Sequence, residues 1–172
     1  VRVGDTLSWA CAADAARYQA SYTHAIKAIG GRMAPAESFF TRPTISVKLS
    51  ALYPRFEYRH EERAVEALST SLQALAHAAR AADIGLTVDA EEADRLEIQL
   101  RVFAAVYAGA GLAGWEGMGL AVQAYQKRAL AVIQWLESLA AVHKRIIPVR
   151  LVKGAYWDTE VKRAQEQGLA DY

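Results

Sequence analysis

Residues 149–158 read VRLVKGAYWD, and this segment decides how the rest of the chain is interpreted. Its apolar residues predict a buried β-strand that carries Arg150 and places Lys153 at its far end. Gly154 and two aromatic residues follow directly. Two cations, a glycine and an aromatic pair at the end of a strand indicate a site for an anionic or flat cofactor.

The same alternation of strand and helix extends back through the chain. Short β-type runs are predicted at 45–49, 86–89, 119–123 and 146–153, with a weaker run at 2–7. Apolar residues spaced by three and four predict helices at 17–29, 65–82, 96–107 and 132–139, and a further helix begins at Thr159. This alternation predicts a parallel sheet whose strands are connected by helical crossovers.

The number of βα units for this length of chain predicts an α/β fold of the (β/α)8 TIM-barrel type. A complete barrel takes ~250 residues, whereas the chain has 172 residues. Residues 1–172 are therefore expected to form one domain, which holds about the first five βα units of an incomplete barrel. No predicted helix opens with a phosphate loop or a G-x-G-x-x-G pattern, which argues against an open dinucleotide-binding sheet.

Composition excludes several other classes of protein. The formal net charge of +1 gives no support for nucleic-acid binding by bulk charge. Cys11 is the only cysteine, so the chain has neither an internal disulfide nor a cysteine-based zinc site, which fits a reducing compartment. The four histidines lack metal-ligand spacing, and no apolar run approaches the ~18 residues of a membrane span.

Each of the four clear strands is predicted to end with a polar residue. These residues are Lys48, Asp89, Gln123 and Arg150, at intervals of 41, 34 and 27 residues. In a parallel barrel the carboxyl ends of all strands meet at one rim, where the active sites of this fold lie. The four side chains are therefore expected to gather at one site.

For the charged members of this set, the residues alone leave several interpretations open. Asp89 is a general base, the partner of a cation, or the N-cap of the following helix. Arg150 either sits beside a reduced, anionic ring or forms a salt bridge with Asp89. Lys48 either holds a substrate carboxylate or pairs with an acid of a neighbouring strand.

The uncharged candidates are equally open. Gln123 has the donors and acceptors needed to recognise the edge of a heteroaromatic ring, and the alternative is a rim glutamine bridged by water. Tyr156 and Trp157 either form a platform for a ligand or pack within a loop.

Four motifs carry a family resemblance. They are ISVKLSAL at 45–52 followed by Pro54 and Arg55, DAEEADRLE at 89–97, QAYQKR at 123–128 and RLVKGAYWD at 150–158. Together they resemble bacterial proline dehydrogenases. More narrowly, they resemble the flavoprotein domain of proline utilization A, a bifunctional enzyme that also carries an aldehyde dehydrogenase. The resemblance covers residues 13–172. It implies that residues 1–172 are the amino-terminal portion of a proline dehydrogenase barrel domain.

The resemblance implies a distorted barrel that holds FAD at its carboxyl-terminal rim. It implies oxidation of L-proline to Δ1-pyrroline-5-carboxylate, with hydride transfer to flavin N5, as the first step of proline catabolism to glutamate. Electrons would pass to a membrane quinone. The implied location is the cytoplasm, peripheral to the inner face of the bacterial membrane.

The resemblance also assigns roles to individual residues. Lys48 would contact the substrate carboxylate, Asp89 would orient a substrate-binding arginine, and Leu151 and Tyr156 would shape the proline pocket. Gln123 and Arg150 would hydrogen-bond the isoalloxazine region. The residues implied to line the flavin are Lys153, Gly154, Ala155 and Trp157, and those implied to be catalytic are Lys48, Asp89, Arg150 and Tyr156.

The chain departs from the family pattern in its first predicted strand, where Trp9 stands in place of the family's glutamate. Family members continue with three more strands and a helix bearing paired arginines. The 172-residue polypeptide alone is therefore expected neither to bind FAD tightly nor to oxidise proline. Two further interpretations are a non-catalytic remnant that serves as an interaction or oligomerisation module, and a Schiff-base aldolase that uses Lys48 or Lys153.

Overall fold

The computed structural model describes residues 11–31, 41–154 and 156–170. The predicted weak strand at 2–7, and Trp9, lie outside these residues. Helices and strands alternate through the described chain: α1 (Ala12–Gly30), β1 (Thr44–Val47), α2 (Glu61–Ala81), β2 (Gly85–Val88), α3 (Leu96–Tyr107), β3 (Met118–Gln123), α4 (Ala129–His143), β4 (Val149–Val152) and α5 (Trp157–Glu166). A short 3-10 turn at Ala93–Arg95 leads directly into α3.

The four strands form one parallel sheet in the order β1-β2-β3-β4. Val47 is in register with Val88, Val88 with Leu120, and Leu120 with Val149. Each strand therefore lies beside its neighbour in sequence, with a helix crossing over between them. This arrangement confirms the predicted α/β class and the order of the predicted elements.

Helix α2 shows why the apolar stripe specifies this packing. Its residues Leu68, Leu72, Leu75 and Ala79 recur at spacings of three and four and are completely buried. Helix α2 contacts β2 and packs between α1 and α3. Burying each leucine contributes about 1.5–3 kcal/mol, so this stripe fixes the face that α2 turns toward the sheet.

The two faces of the sheet have different chemistry. Side chains alternate along a strand, so Ile45 and Val47 point to the face covered by the helices, where both are buried. Ser46 points to the other face. Leu86, Val88, Leu120 and Val122 continue the apolar face on the next two strands.

The prediction for β4 is wrong in its length and its burial. The strand spans Val149–Val152 instead of 146–153, because Pro148 has no amide hydrogen with which to begin the ladder. The expected buried strand is exposed, with Leu151 at 60%. Strand β4 forms one edge of the described sheet and pairs with β3 only. Helix α5 begins at Trp157, two residues before the predicted start at Thr159.

Candidate active site

The polar residues predicted at the strand ends lie close to one level of the sheet. Lys48 directly follows β1 and Asp89 directly follows β2. Gln123 is the last residue of β3, whereas Arg150 is the second residue of β4 and so does not end its strand. Arg150 is in register with Ala121, and the register of the adjoining strands puts Asp89 and Lys48 on that same level.

Arg150 crosses the sheet to reach two partners. Its Nη1 donates a hydrogen bond to Ser46 Oγ at 2.8 Å, and its Nη2 donates to Asp89 Oδ1. Arg150 lies on β4 and Ser46 on β1, so the side chain reaches across both β3 and β2, and the β3 residue at its own level is the small Ala121. An arginine has five N–H donors, so these contacts within the described chain leave donors for a ligand.

The structure bears on two of the three interpretations of Asp89, and its role as a general base stays a prediction. The alternative that Asp89 pairs with Arg150 is the one observed. The N-cap alternative is wrong, because the 3-10 turn that leads into α3 begins at Ala93 and has Glu92 at its N-cap. The arginine side chain is 46% exposed and the aspartate 22%, so the pair orients the guanidinium more than it stabilises the fold.

A buried carboxylate lies two residues beyond Asp89. Glu91 is 3% exposed, and its Oε1 accepts a hydrogen bond from the Ser50 amide at 3.0 Å. Arg95 Nη1 lies 3.4 Å from its Oε2. Burial raises the pKa of the Glu91 carboxyl, and the Ser50 and Arg95 contacts offset only part of that effect. Glu91 thus ties the loop after β1 to the loop after β2.

Gln123 presents an acceptor with no partner in the described structure. Its Nε2 donates to the backbone oxygen of Glu91 at 2.6 Å, which fixes the orientation of the amide. Its Oε1 is buried and accepts no hydrogen bond from the residues that the structure describes. A buried polar atom of this kind costs about 1–3 kcal/mol unless a ligand or water satisfies it, so Oε1 marks a place for an N–H donor.

Gly154 comes close to this open acceptor. Its φ of +105° is a conformation that residues with a side chain rarely adopt. A Cβ at this position would lie 2.8 Å from Gln123 Oε1 and 2.4 Å from Tyr125 Cε1. The chain after β4 can approach Gln123 only because residue 154 is a glycine.

Tyr156 contributes a neutral hydroxyl beside the acidic loop. Burial is the main cause of the rise in the pKa of Tyr156, and the negative charges of Glu92, Glu91 and Asp89 raise it further. The phenol therefore keeps its proton at neutral pH and can donate a hydrogen bond. The Ala93 amide in the loop after β2 donates to Glu160 Oε1 on α5 at 2.8 Å, so this loop and the start of α5 face each other.

The remaining predicted site residues do not all lie with this cluster. Lys153 Nζ lies 5.8 Å from the centre of the Trp157 ring, in a cation–π contact at the start of α5. Leu151 alternates with Arg150 along β4 and is in register with Val122, so it lies on the opposite face of the sheet. The structure does not bring Leu151 to the cluster. Ala155 lies outside the described residues.

The sequence interpretation missed several residues of the site. Ser46 and Glu91 lie two residues from Lys48 and Asp89, respectively, and the alternation of side chains along an extended chain could have indicated both. Tyr22 gave no comparable signal. Its hydroxyl accepts a hydrogen bond from the Lys48 amide at 3.3 Å across 26 positions of sequence.

Two expectations from composition can be compared with the described residues. Within 11–31, 41–154 and 156–170, no group of three or more histidine, cysteine, aspartate or glutamate side chains could hold a metal ion. In the same residues, no helix combines the length and the apolar character that crossing a membrane requires.

The parallel sheet and the polar rim define an α/β domain of the TIM-barrel type, with its candidate site at the carboxyl ends of the strands. The family model for proline dehydrogenase matches residues 7–172, and the chain therefore belongs to the proline dehydrogenase family.

Relatives and solved structures agree with this membership. The bifunctional protein PutA of Salmonella typhimurium is 49% identical over 161 residues, which are 94% of this chain and 12% of that protein. PutA of Rhizobium meliloti is 48% identical over 161 residues, 94% of this chain and 13% of its own. A crystal structure of a Bradyrhizobium japonicum Proline Utilization A mutant superimposes with a TM-score of 0.91 at 54% identity, covering 97% of this chain and 17% of that one.

A more distant structure shares the fold alone. Proline utilization A from Bdellovibrio bacteriovorus, inactivated by N-propargylglycine, is 22% identical, with a TM-score of 0.83 over 92% of this chain and 18% of that one. The chain thus spans about an eighth of the length of the curated relatives that it matches.

Proposed function

We propose that this chain supplies the amino-terminal part of the FAD- and proline-binding site of a proline dehydrogenase. The reaction is the oxidation of L-proline to Δ1-pyrroline-5-carboxylate, the first step of proline catabolism to glutamate. Membership of the proline dehydrogenase family supports the class of reaction. The observation that carries the site is the buried, unpartnered Gln123 Oε1 beside Gly154.

The residues present fit a flavin. An isoalloxazine ring has N–H donors and carbonyl acceptors along one edge, which suit the open acceptor of Gln123 and the spare donors of Arg150. Gly154 lets the backbone approach the same place. Gln123, Arg150, Lys153, Gly154, Ala155 and Trp157 would hold the FAD. When bound, FAD supplies N5 as the acceptor of the hydride from proline.

The chain's own residues prepare the rim for substrate and cofactor. Asp89 and Ser46 fix the guanidinium of Arg150, and its permanent positive charge favours an electron-rich ligand there. Lys48 lies on the same level and would bind the substrate carboxylate. Tyr156 offers its neutral hydroxyl and ring to the proline pocket, and Leu151 belongs to that pocket only through the family resemblance.

The remaining partners follow from the same proposal. Electrons would pass from the site to a membrane quinone, and the protein would be cytoplasmic and meet the inner face of the bacterial membrane, as the family resemblance implies. An aldehyde dehydrogenase in the same polypeptide would consume the product, in keeping with the name bifunctional that the relatives carry.

A visible spectrum of the full gene product tests the proposal. The purified protein is recorded anaerobically, before and after addition of L-proline, with D-proline as the matched control. We expect flavin absorption bands that bleach with L-proline and persist with D-proline. A colourless protein, or flavin bands indifferent to L-proline, would contradict the proposal. Borohydride trapping of a carbonyl substrate on Lys48 or Lys153 would favour the Schiff-base aldolase instead.

A further inference from the structure

The loop after β2 is held from outside by two charged side chains. Ala93 donates its amide hydrogen to Glu160 Oε1 at 2.8 Å, and its carbonyl oxygen accepts a hydrogen bond from Arg128 Nη2. Both backbone polar groups of Ala93 are thus hydrogen-bonded to side chains. The two side chains come from different elements, since Glu160 lies on α5 and Arg128 immediately precedes α4.

The amide of Ala93 has a physical need for such a partner. Ala93 is the first residue of the 3-10 turn that runs into α3, and amides at the start of a helix have no acceptor within the helix. A carboxylate at this end also interacts favourably with the helix dipole. Glu160 meets both requirements from a distance of 67 residues along the chain.

The contact connects two parts of the candidate site across β3. Glu160 follows Tyr156 by one helical turn, and its own amide donates to the Tyr156 carbonyl at 2.9 Å. Ala93 follows Asp89 and Glu91 in the loop that holds Arg150 and Gln123. The position of the aromatic turn after β4 is therefore coupled to the position of the acidic loop after β2.

We propose that Glu160 and Arg128 are positioning residues, which set the acidic loop against Tyr156 by clamping both backbone groups of Ala93. The role of this clamp in turnover rests on the proposed function, whereas the clamp itself does not. Glu160 and Arg128 line an open cavity of about 450 Å³. Water can therefore reach both side chains, and truncating either one frees the loop without opening a sealed void.

Three variants of the full gene product test the clamp. Glu160→Ala removes the acceptor, Glu160→Gln keeps an oxygen that can accept from Ala93, and Glu166→Ala removes an exposed carboxylate from the same helix. We expect Glu160→Ala to speed hydrogen–deuterium exchange in peptides that cover 89–95. We also expect a roughly ten- to a hundredfold loss in kcat/KM for L-proline, because small displacements of site residues are costly. Glu160→Gln and Glu166→Ala should stay close to the unmodified protein in both measurements.

Each measurement can overturn a different claim. Unchanged hydrogen–deuterium exchange at 89–95 in Glu160→Ala would overturn the clamp. The clamp would also be overturned if Glu160→Gln and Glu166→Ala lost as much kcat/KM as Glu160→Ala does. Faster exchange in a protein that never reacts with L-proline would support the clamp and refute the proposed function. If Glu160→Ala does not fold, Arg128→Ala releases the carbonyl side of Ala93 and is held to the same exchange criterion.

Discussion

At the scale of single residues, a salt bridge and a ligand contact are compatible interpretations of Arg150. The sequence offered a salt bridge to Asp89 as an alternative to a ligand contact. The structure shows the salt bridge, together with a hydrogen bond to Ser46. Because the guanidinium has more donors than these contacts use, the ion pair orients Arg150 and leaves it able to bind a ligand.

Gly154 permits a prediction with an internal control. Gly154→Ala places a methyl group against Gln123 and Tyr125 and forces an unfavourable φ, so we expect the full gene product to lose most of its bound FAD. Gly114 has a φ of +73°, and a Cβ added to it would meet no atom within 4 Å, so Gly114→Ala tests the backbone cost alone. The measurement is the ratio of flavin to protein absorbance. Equal FAD loss in both variants would show that the close approach of Gly154 is unimportant.

Glu91 predicts a pH dependence of stability. Its pKa is raised in the folded state, so folding favours the protonated carboxyl, and stability is lost as the pH rises from about 4.5 through the folded-state pKa. Glu91→Gln removes that loss and keeps an acceptor for the Ser50 amide. We expect the Tm of Glu91→Gln, relative to the unmodified protein, to increase as the pH rises above about 4.5.

The control for Glu91→Gln is the same substitution at a solvent-exposed glutamate. Glu66 is exposed on α2, and Glu66→Gln should shift Tm by the same small amount at every pH. A Tm difference for Glu91→Gln that stays constant across this pH range would contradict the buried, raised-pKa carboxyl.

At the scale of elements, the Tyr22 hydroxyl connects α1 to the backbone of Lys48. Tyr22 is 1% exposed, and it receives the Lys48 amide directly after β1. Tyr22→Phe removes only the oxygen, so we expect a loss of about 0.5–1.5 kcal/mol in the free energy of unfolding. We also expect KM for L-proline to rise, because the backbone that presents Lys48 is less well fixed.

Exposed Tyr58 provides the comparison for Tyr22. Its side chain is 66% exposed, so Tyr58→Phe should change neither denaturant stability nor KM measurably. If Tyr22→Phe behaves like Tyr58→Phe in both assays, the Tyr22 hydroxyl has no part in positioning Lys48.

At the scale of the whole molecule, the described sheet has an edge strand with exposed apolar residues. Val149 and Leu151 of β4 are 39% and 60% exposed. Unpaired strand edges of this kind promote association between chains. We expect the 172-residue chain, expressed alone, to self-associate, to bind FAD weakly and to leave L-proline unoxidised, whereas the full gene product binds FAD and oxidises L-proline.

Size-exclusion chromatography and an FAD titration of the two proteins, side by side, check this expectation. A monomeric 172-residue chain that is yellow and bleaches with L-proline would contradict it. A colourless chain that persists as a defined oligomer would instead favour the interpretation of the domain as a non-catalytic interaction module.

The sequence by itself determined the order of strands and helices, the buried stripe of α2, and the strand-end positions of Lys48, Asp89 and Gln123 but not of Arg150. These features are local, because the periodicity of apolar residues depends only on near neighbours. The family motifs added predicted roles for individual site residues, which the periodicity of apolar residues does not provide.

Only the tertiary structure decided how those residues meet. The pairing of Arg150 with Ser46 spans 104 positions of sequence, and it depends on the register of all four strands, because Arg150 lies on β4 and Ser46 on β1. The burial of Glu91, the open Oε1 of Gln123 and the grip of Glu160 on Ala93 likewise depend on packing between distant elements. No local pattern encodes such contacts, because their geometry exists only after the sheet has formed.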